Sequence, residues 1–510
     1  MGKFYTYFCT VFVAIGSYLF GYDSGCIQTL LAQPKFVIYF HDLQGALLGA
    51  VISSYAGGAA VGCIIAGWGA DWLGRRRTIH VGSLVALIGT AIQTGSVTVG
   101  MFICGRIIAG IAIGMLYSAI PTYMSELAPP STRGWIVGFH AISLSIGYFV
   151  SSAVGAGTYW IKHSDAQWRV PLALQMPPAV ILIVGLFWLP FSPRWLLEQG
   201  RDAEAYDTVK KLHYDGVDEH FFRAEFHQMK EQIAYEKANC ITDWKTFVTV
   251  PHIRKRLVVA LFIQCGVQLT GVNCINYYQT AIYKSLGQSS YNQILITLGY
   301  GIWGAWSTGV CAFYIDRWGR VKTIMASSAG LTVVFTCITI LFAKGVNPPY
   351  DNPGAKKAVV AFIFIFCGVY ATGFNGTWPA YSTEVFSQAM RARGTSIGAF
   401  ASFVVQLVLI QITPVAFQNI GYRFYILFAV FNAAMCVIAW LWMPETKGLT
   451  LEEINALFGE VVVVSMQDEL SLSDPASNEN AEKTGGEMEK GVSGEADKGQ
   501  LTLHENIGSR

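Results

Sequence analysis

The stretch "GADWLGRRRT" at residues 69–78 is echoed by "YIDRWGRVKT" at 314–323, which sets Asp71 against Asp316 at an offset of 245. Two further echoes keep the same order. "SELAPPSTRG" (125–134) answers "TEVFSQAMRARG" (383–394), where Glu126 to Arg133 and Glu384 to Arg391 share a spacing of seven at an offset of 258. "LPFSPRW" (189–195) answers "MPETKGL" (443–449), with Pro190 and Pro444 separated by 254. All three offsets fall near half of the 510 residues, the signature of an internal duplication.

The material between the echoes belongs to a membrane. The chain is 53% hydrophobic and 14% aromatic with only 13% charged residues, a make-up that would aggregate in water. Crossing a hydrocarbon core of about 30 Å takes about 20 helical residues. Apolar runs of that length are predicted near 5–25, 45–68, 78–97, 101–124, 135–156, 170–189, 257–284, 291–314, 323–343, 358–383, 393–417 and 423–443. Twelve spans divided by the duplication make two six-span halves. Because six is even, both halves enter from the same side, and they can rock about a site between them. The expected organisation is a bundle over 1–195, a linker of short amphipathic helices over 196–256, a second bundle over 257–460 and a disordered tail over 461–510. The first run follows only "MGK" with no cleavage signal, so it reads as a retained span.

Charge sets the expected orientation. "RRR" at 75–77, Arg133 and the 21 charged residues of 196–256 follow spans two, four and six, as the positive-inside rule asks of cytosolic loops. Both termini are then cytosolic. The tail holds ten acidic against four basic residues, leaving 31 basic against 23 acidic in the membrane body. The eleven cysteines lack a C-x-x-C pair or finger-like spacing, so neither a metal nor a disulfide framework is expected, and no cofactor is expected. No nucleotide loop, nucleophile elbow or nucleic-acid motif is read, which argues against an enzyme. "NGT" at 375–377 falls inside a span and does not count as a glycosylation site.

Inside the spans, ionisable groups are rare and therefore informative. Asp23, in "SYLFGYDSGCIQTLL" (17–31), is a carboxylate among apolar and small residues. A charge at mid-bilayer costs roughly 2.5–3.5 kcal/mol even on the lenient insertion scale, so it reads first as a functional group needing a partner. Arg106 in span four is the strong cation well within the first-half spans, and the two are expected to pair as a proton-coupling site. A hydrogen-bonded structural carboxylate near a helix end is the alternative. His140 reads as a neutral strut between helices rather than a second proton site. The loop charges Asp71, Arg75, Arg76, Glu126, Arg133, Asp316, Arg317, Arg320, Glu384 and Arg391 read either as a solvated rim or as an inter-helix lock. Their recurrence in both halves favours the lock. A midplane solute site should carry amides for hydroxyls and aromatics for ring faces. Gln264, Gln268, Asn273, Tyr277 and Tyr278 of span seven, Trp378 and Tyr381 of span ten beside an interruption at Pro379, and Gln406 of span eleven are the candidates, with Asn276 adding polarity.

The motifs in order are "GYDSG", "GWGADWLGRRR", "GRIIAGIAIG" (105–114), "PTYMSELAPPSTRG" (121–134), "PFSPRWL" (190–196), "QLTGVNCINYY" (268–278), "DRWGR" (316–320) and "PETKGLTLEE" (444–453). With them the chain resembles the sugar porter family of the major facilitator superfamily over residues 5 to 460, in the style of a fungal member. The resemblance implies an all-helical fold of twelve spans in two parallel repeats, a plasma-membrane location and a monomer working on a small solute and protons within the bilayer. It also implies that the charged lock holds the outward-facing state, that Asp23 marks proton-driven members, and that the cargo is a sugar or polyol. Three positions depart from the family's sugar contacts: Ala141, Val267 and Pro379. These allow a second cargo, a cyclic hydroxy acid such as quinate or a less polar metabolite. A sugar sensor signalling through its tail is the alternative of another class. Trp72 and Phe191 stand where the family has a basic and an acidic residue, which predicts a weaker lock in the first half.

Overall fold

The computed structural model describes residues 2–129, 133–213, 246–347, 350–386 and 390–447, with isolated positions in 223–234 and 454–458. The expected tail lies outside the described residues, as do 214–222 and 235–245 of the linker. Among the described residues the chain is helical throughout. Eleven helices are long and apolar enough to cross a membrane. Arg75–Thr94 completes the twelve, its 20 residues opening on three arginines that lower its mean hydropathy. It starts three residues before the predicted span because the arginines form its first turn.

Both copies of the opening motif fold alike, each with a glycine turned to positive φ just ahead of a helix: Gly74 at 84° and Gly319 at 96°. The next arginine in each copy, Arg75 or Arg320, starts the following helix. Spans two (Gly45–Trp72) and four (Val99–Leu127) pack backbone to backbone. A Cβ on Gly110 or Gly114 would run into the Tyr55 or Ala59 carbonyl, and one on Gly58 or Gly62 into Ile107 or Ile111. Membrane helices use such small-residue rows because dispersion and close approach hold them together, lipid being as apolar as leucine. The halves meet where span two packs on span eleven (Arg391–Asn419) and span five (Arg133–Thr158) on span eight (Ser290–Trp318). The duplication equates spans two with eight and five with eleven. The two contacts are therefore exchanged by a pseudo-two-fold axis between the halves.

Three spans are broken, and the breaks shape the middle of the molecule. Span six is split into Ala166–Ala173 and Met176–Gly185, around Pro171 and a proline in the first turn of the second piece. Span seven, expected as one run, stops at Leu269 and restarts at Val272 through Gly271, whose φ of 86° suits glycine. Span ten carries its interruption as a π-turn over Ala371–Asn375, ahead of the predicted site, and Pro379 lies inside the helix Gly376–Glu384 that follows. The described helices of the linker include the end of Pro193–Glu198, the amphipathic helix Asp202–His213, the short Thr246–Thr249 and the first turns of Pro251–Leu269. Asp202–His213 has acids in its first turn, bases in its last, and Ala205, Val209 and Leu212 buried.

Candidate solute cavity and charged gate

Between the halves lies a cavity of about 950 Å³, mouth included. The first half contributes Phe20, Gln28, Tyr117, Ser145, Tyr148 and Ser152. The second contributes Gln268, Asn273, Asn276, Tyr277, Tyr300, Thr308, Tyr370, Asn375, Trp378, Phe403 and Gln406. Of the predicted cavity residues, Gln268, Asn273, Tyr277, Trp378 and Gln406 line it together. Their polar atoms form a chain: Asn273 Nδ2 donates to Gln268 Oε1, Gln268 Nε2 to Ser402 Oγ at 2.7 Å, and Gln406 Nε2 to both Asn273 Oδ1 (3.2 Å) and the Tyr277 hydroxyl (3.3 Å). A second polar knot ties the halves, with Asn375 Nδ2 donating to Ser145 Oγ at 3.0 Å and Thr308 Oγ1 at 2.9 Å. The position of "NGT" inside a span excluded an acceptor site but did not anticipate this role for Asn375.

Three predicted cavity residues lie elsewhere. Tyr278 donates its hydroxyl to the Ile410 carbonyl at 2.7 Å, and Tyr381 to the Pro444 carbonyl at 2.9 Å; both act as helix ties. Gln264 lines a smaller chamber with His140, Thr122 and Ser382. Tyr117 and Trp378, stacked with centroids 5.8 Å apart, wall both chambers. His140 shares a 2.7 Å hydrogen bond with Ser17, joining spans one and five as a strut. Among the departures, Val267 lines the cavity, while Ala141 is buried outside its lining.

Asp23 and Arg106 meet as the sequence predicted. Arg106 Nη1 lies 3.2 Å from Asp23 Oδ2, with side chains 1% and 4% exposed. The guanidinium also sits 4.4 Å above the Tyr55 ring. Tyr55 and Gln175 flank the carboxylate, yet Asp23 Oδ1, the Tyr55 hydroxyl and Gln175 Nε2 have no hydrogen-bond partner. Neither member of the pair belongs to the cavity lining, but Tyr277 connects pair and cavity. Its hydroxyl receives Gln406 and faces Ser24, next to Asp23, within electrostatic range of both charges.

At the charged end, Arg75 meets Glu126 Oε1 at 3.0 Å and Glu198 Oε2 at 3.3 Å. Its repeat partner Arg320 meets Glu384 Oε1 at 2.9 Å. Glu445 accepts from the Arg320 and Val321 amides, closing the start of span nine with a carboxylate. Asp71 reaches across the halves to Arg393 Nε at 2.8 Å. Arg393 was missed although "RARG" displays it, because the spacing of seven selected Arg391, which is buried at the start of span eleven. Arg76 departs from the expected acid pairing: it donates to the Phe187 carbonyl at 2.9 Å and covers the Phe191 ring. The side chains of Arg133, Asp316 and Arg317 lie outside the described residues.

A family model described as "Sugar (and other) transporter" matches residues 9–458. The MFS-type transporter criB of Aspergillus cristatus is 32% identical over 89% of this chain and 93% of its own. A high-affinity glucose transporter of Kluyveromyces lactis is 29% identical over 89% and 85%. Among solved structures, the proton:xylose symporter XylE bound to 6-bromo-6-deoxy-D-glucose superposes with a TM-score of 0.76 at 20% identity, covering 90% of this chain and all of that one. An inward-open XylE from E. coli gives 0.68 over 89% and 99%. A duplicated bundle of twelve spans around a cavity, matched along nearly its whole length by the family model, is a multi-pass membrane transporter rather than an enzyme, and the chain belongs to the sugar porter family of the major facilitator superfamily.

Proposed function

We propose that the protein is a proton-coupled importer of a neutral, ring-shaped solute, a sugar or related polyol, in the plasma membrane with both termini in the cytosol. The observation that carries this reading is the buried Asp23–Arg106 pair, joined to the cavity through Tyr277. A proton arriving from outside on Asp23 removes its charge and frees the Arg106 guanidinium. Tyr277 and Gln406 then rearrange around the solute, and the halves 1–195 and 257–460 rock to open the charged end. The ion pairs there hold that end closed until this happens.

The lining also favours a less polar variant of this cargo. Gln268, Asn273 and Gln406 bond one another, Asn276 and Asn375 are bonded to hydroxyls, and aromatic rings make up much of the remaining wall. Among the described residues the lining holds no lysine or arginine, which counts against a hydroxy acid needing a cation for its carboxylate. Cells expressing the chain are given labelled hexoses, pentoses, polyols, quinate and apolar glycosides, with and without a proton uncoupler. The reading requires accumulation that the uncoupler abolishes. It also requires that Asp23→Asn retain downhill exchange but lose accumulation. Accumulation by the Asn variant would remove the coupling role, and uptake of quinate alone would remove the cargo.

A further inference from the structure

Phe191 sits where the duplication places Glu445, and its surroundings differ from those of the acid. Three guanidiniums gather on its ring: Arg76 at 4.6 Å, Arg77 at 5.3 Å and Arg201 at 5.8 Å from the centroid. The ring also stacks on Trp195 at 5.4 Å and packs against the small apolar cluster that Trp195 forms with Leu196, Leu197 and Ala205. Among the described residues Arg201 is matched by Glu204, Arg76 donates to the Phe187 carbonyl, and Arg77 is exposed with no carboxylate bonded to it. Among these residues the face therefore carries more positive charge than its carboxylates balance, whereas in the other half Glu445 supplies the anion internally. The cluster lies beside Phe187 and Trp188, 64% and 73% exposed at the charged end of span six. Aromatic rings beside unbalanced arginines at a span end are the chemistry of the bilayer interface, where headgroup phosphates lie.

We infer that Arg76, Arg77 and Arg201 around Phe191 form a binding site for the headgroup of an anionic phospholipid, whose acyl chains run down past Phe187 and Trp188. The lipid supplies the anion that Glu445 supplies in the other half. Arg75, next in the chain, holds Glu126 and Glu198, so headgroup occupancy steadies the first turn of the helix that carries the gate.

Native mass spectrometry of the purified full-length protein tests this with dioleoylphosphatidylserine, dioleoylphosphatidylcholine and inorganic phosphate as probes. Phosphatidylserine should bind well above phosphatidylcholine of the same chains. Arg77→Gln should weaken it about fivefold, the worth of one interfacial cation, and Arg77→Lys should restore most of it. Phe191→Glu, which would seat a carboxylate among the guanidiniums, should weaken it likewise, and phosphatidylcholine binding should not change in any variant. Equal binding of the two lipids overturns the inference, as does phosphatidylserine binding indifferent to Arg77→Gln. Displacement of the lipid by millimolar phosphate alone would assign the cluster to a free anion instead.

Discussion

If the charged end works as a gate, the Asp71–Arg393 bridge is its most exposed test, because it alone among the described ion pairs there joins one half to the other. At about 4 Å, two unit charges attract by about 1 kcal/mol in water and about 4 kcal/mol at an effective dielectric of 20. The side chains are 32% and 21% exposed, and pairs at the surface return 0.2–1 kcal/mol after screening and side-chain entropy. About 1 kcal/mol is thus the coupling expected, which shifts the closed-to-open ratio at the charged end about fivefold, since about 1.4 kcal/mol is tenfold. Dyes on Lys210→Cys and Lys447→Cys, with reactive cysteines replaced by serine, report that ratio by single-molecule energy transfer. Asp71→Asn and Arg393→Gln should each raise the open fraction, and the double variant should raise it no further than the larger single effect. The swapped pair Asp71→Arg with Arg393→Asp should recover part of the closed state, and 1 M salt should shrink the difference. Strictly additive single effects, or variants that leave the ratio unchanged, would refute the gate reasoning at this bridge.

Gln406→Leu strands Asn273 Oδ1 and the Tyr277 hydroxyl, a loss of about 1–3 kcal/mol, so the KM for uptake should rise roughly tenfold or more at preserved expression. Gly114→Val drives a side chain into the Ala59 carbonyl and should lower the detergent-solubilised Tm and yield well below those of Gly100→Ala, where a Cβ meets open space. Gly271→Ala combines an 86° φ with crowding against Phe335 and Phe428. It should cost more than the 1–3 kcal/mol of backbone strain alone, read as lost thermal stability. Arg106→Gln removes the partner of a buried carboxylate, a loss of about 3–5 kcal/mol unless Asp23 takes up a proton. Uptake by this variant should therefore depend less on external pH than in the parent, and an unchanged pH profile would detach the pair from coupling.

Much of the architecture is written along the chain because the bilayer leaves few options. Long apolar runs must be helices, a duplication of six spans must give two parallel halves, and an acid and an arginine well within the first-half spans must find each other. Where the sequence misplaced residues, helical phase was the reason. Tyr277 and Tyr278 are neighbours in "NYY", but successive residues point about 100° apart, so one faces the cavity and the other the Ile410 carbonyl. Gln264 shares a face with Gln268 but lies one turn nearer the charged end, and that turn puts it beyond the Tyr117–Trp378 partition. The echo of Arg133 chose Arg391, whereas contact with the opposite half chose Arg393, since a repeat records what each half inherited and not how the two meet. By itself, then, the sequence determined the span count, the duplication and the Asp23–Arg106 pair, all consequences of apolar solvent and scarce charge. Only the tertiary structure decided which amides share one cavity, which tyrosines leave it and which arginines bridge the halves or cover rings, because those outcomes depend on rotation and depth that a one-dimensional pattern does not carry.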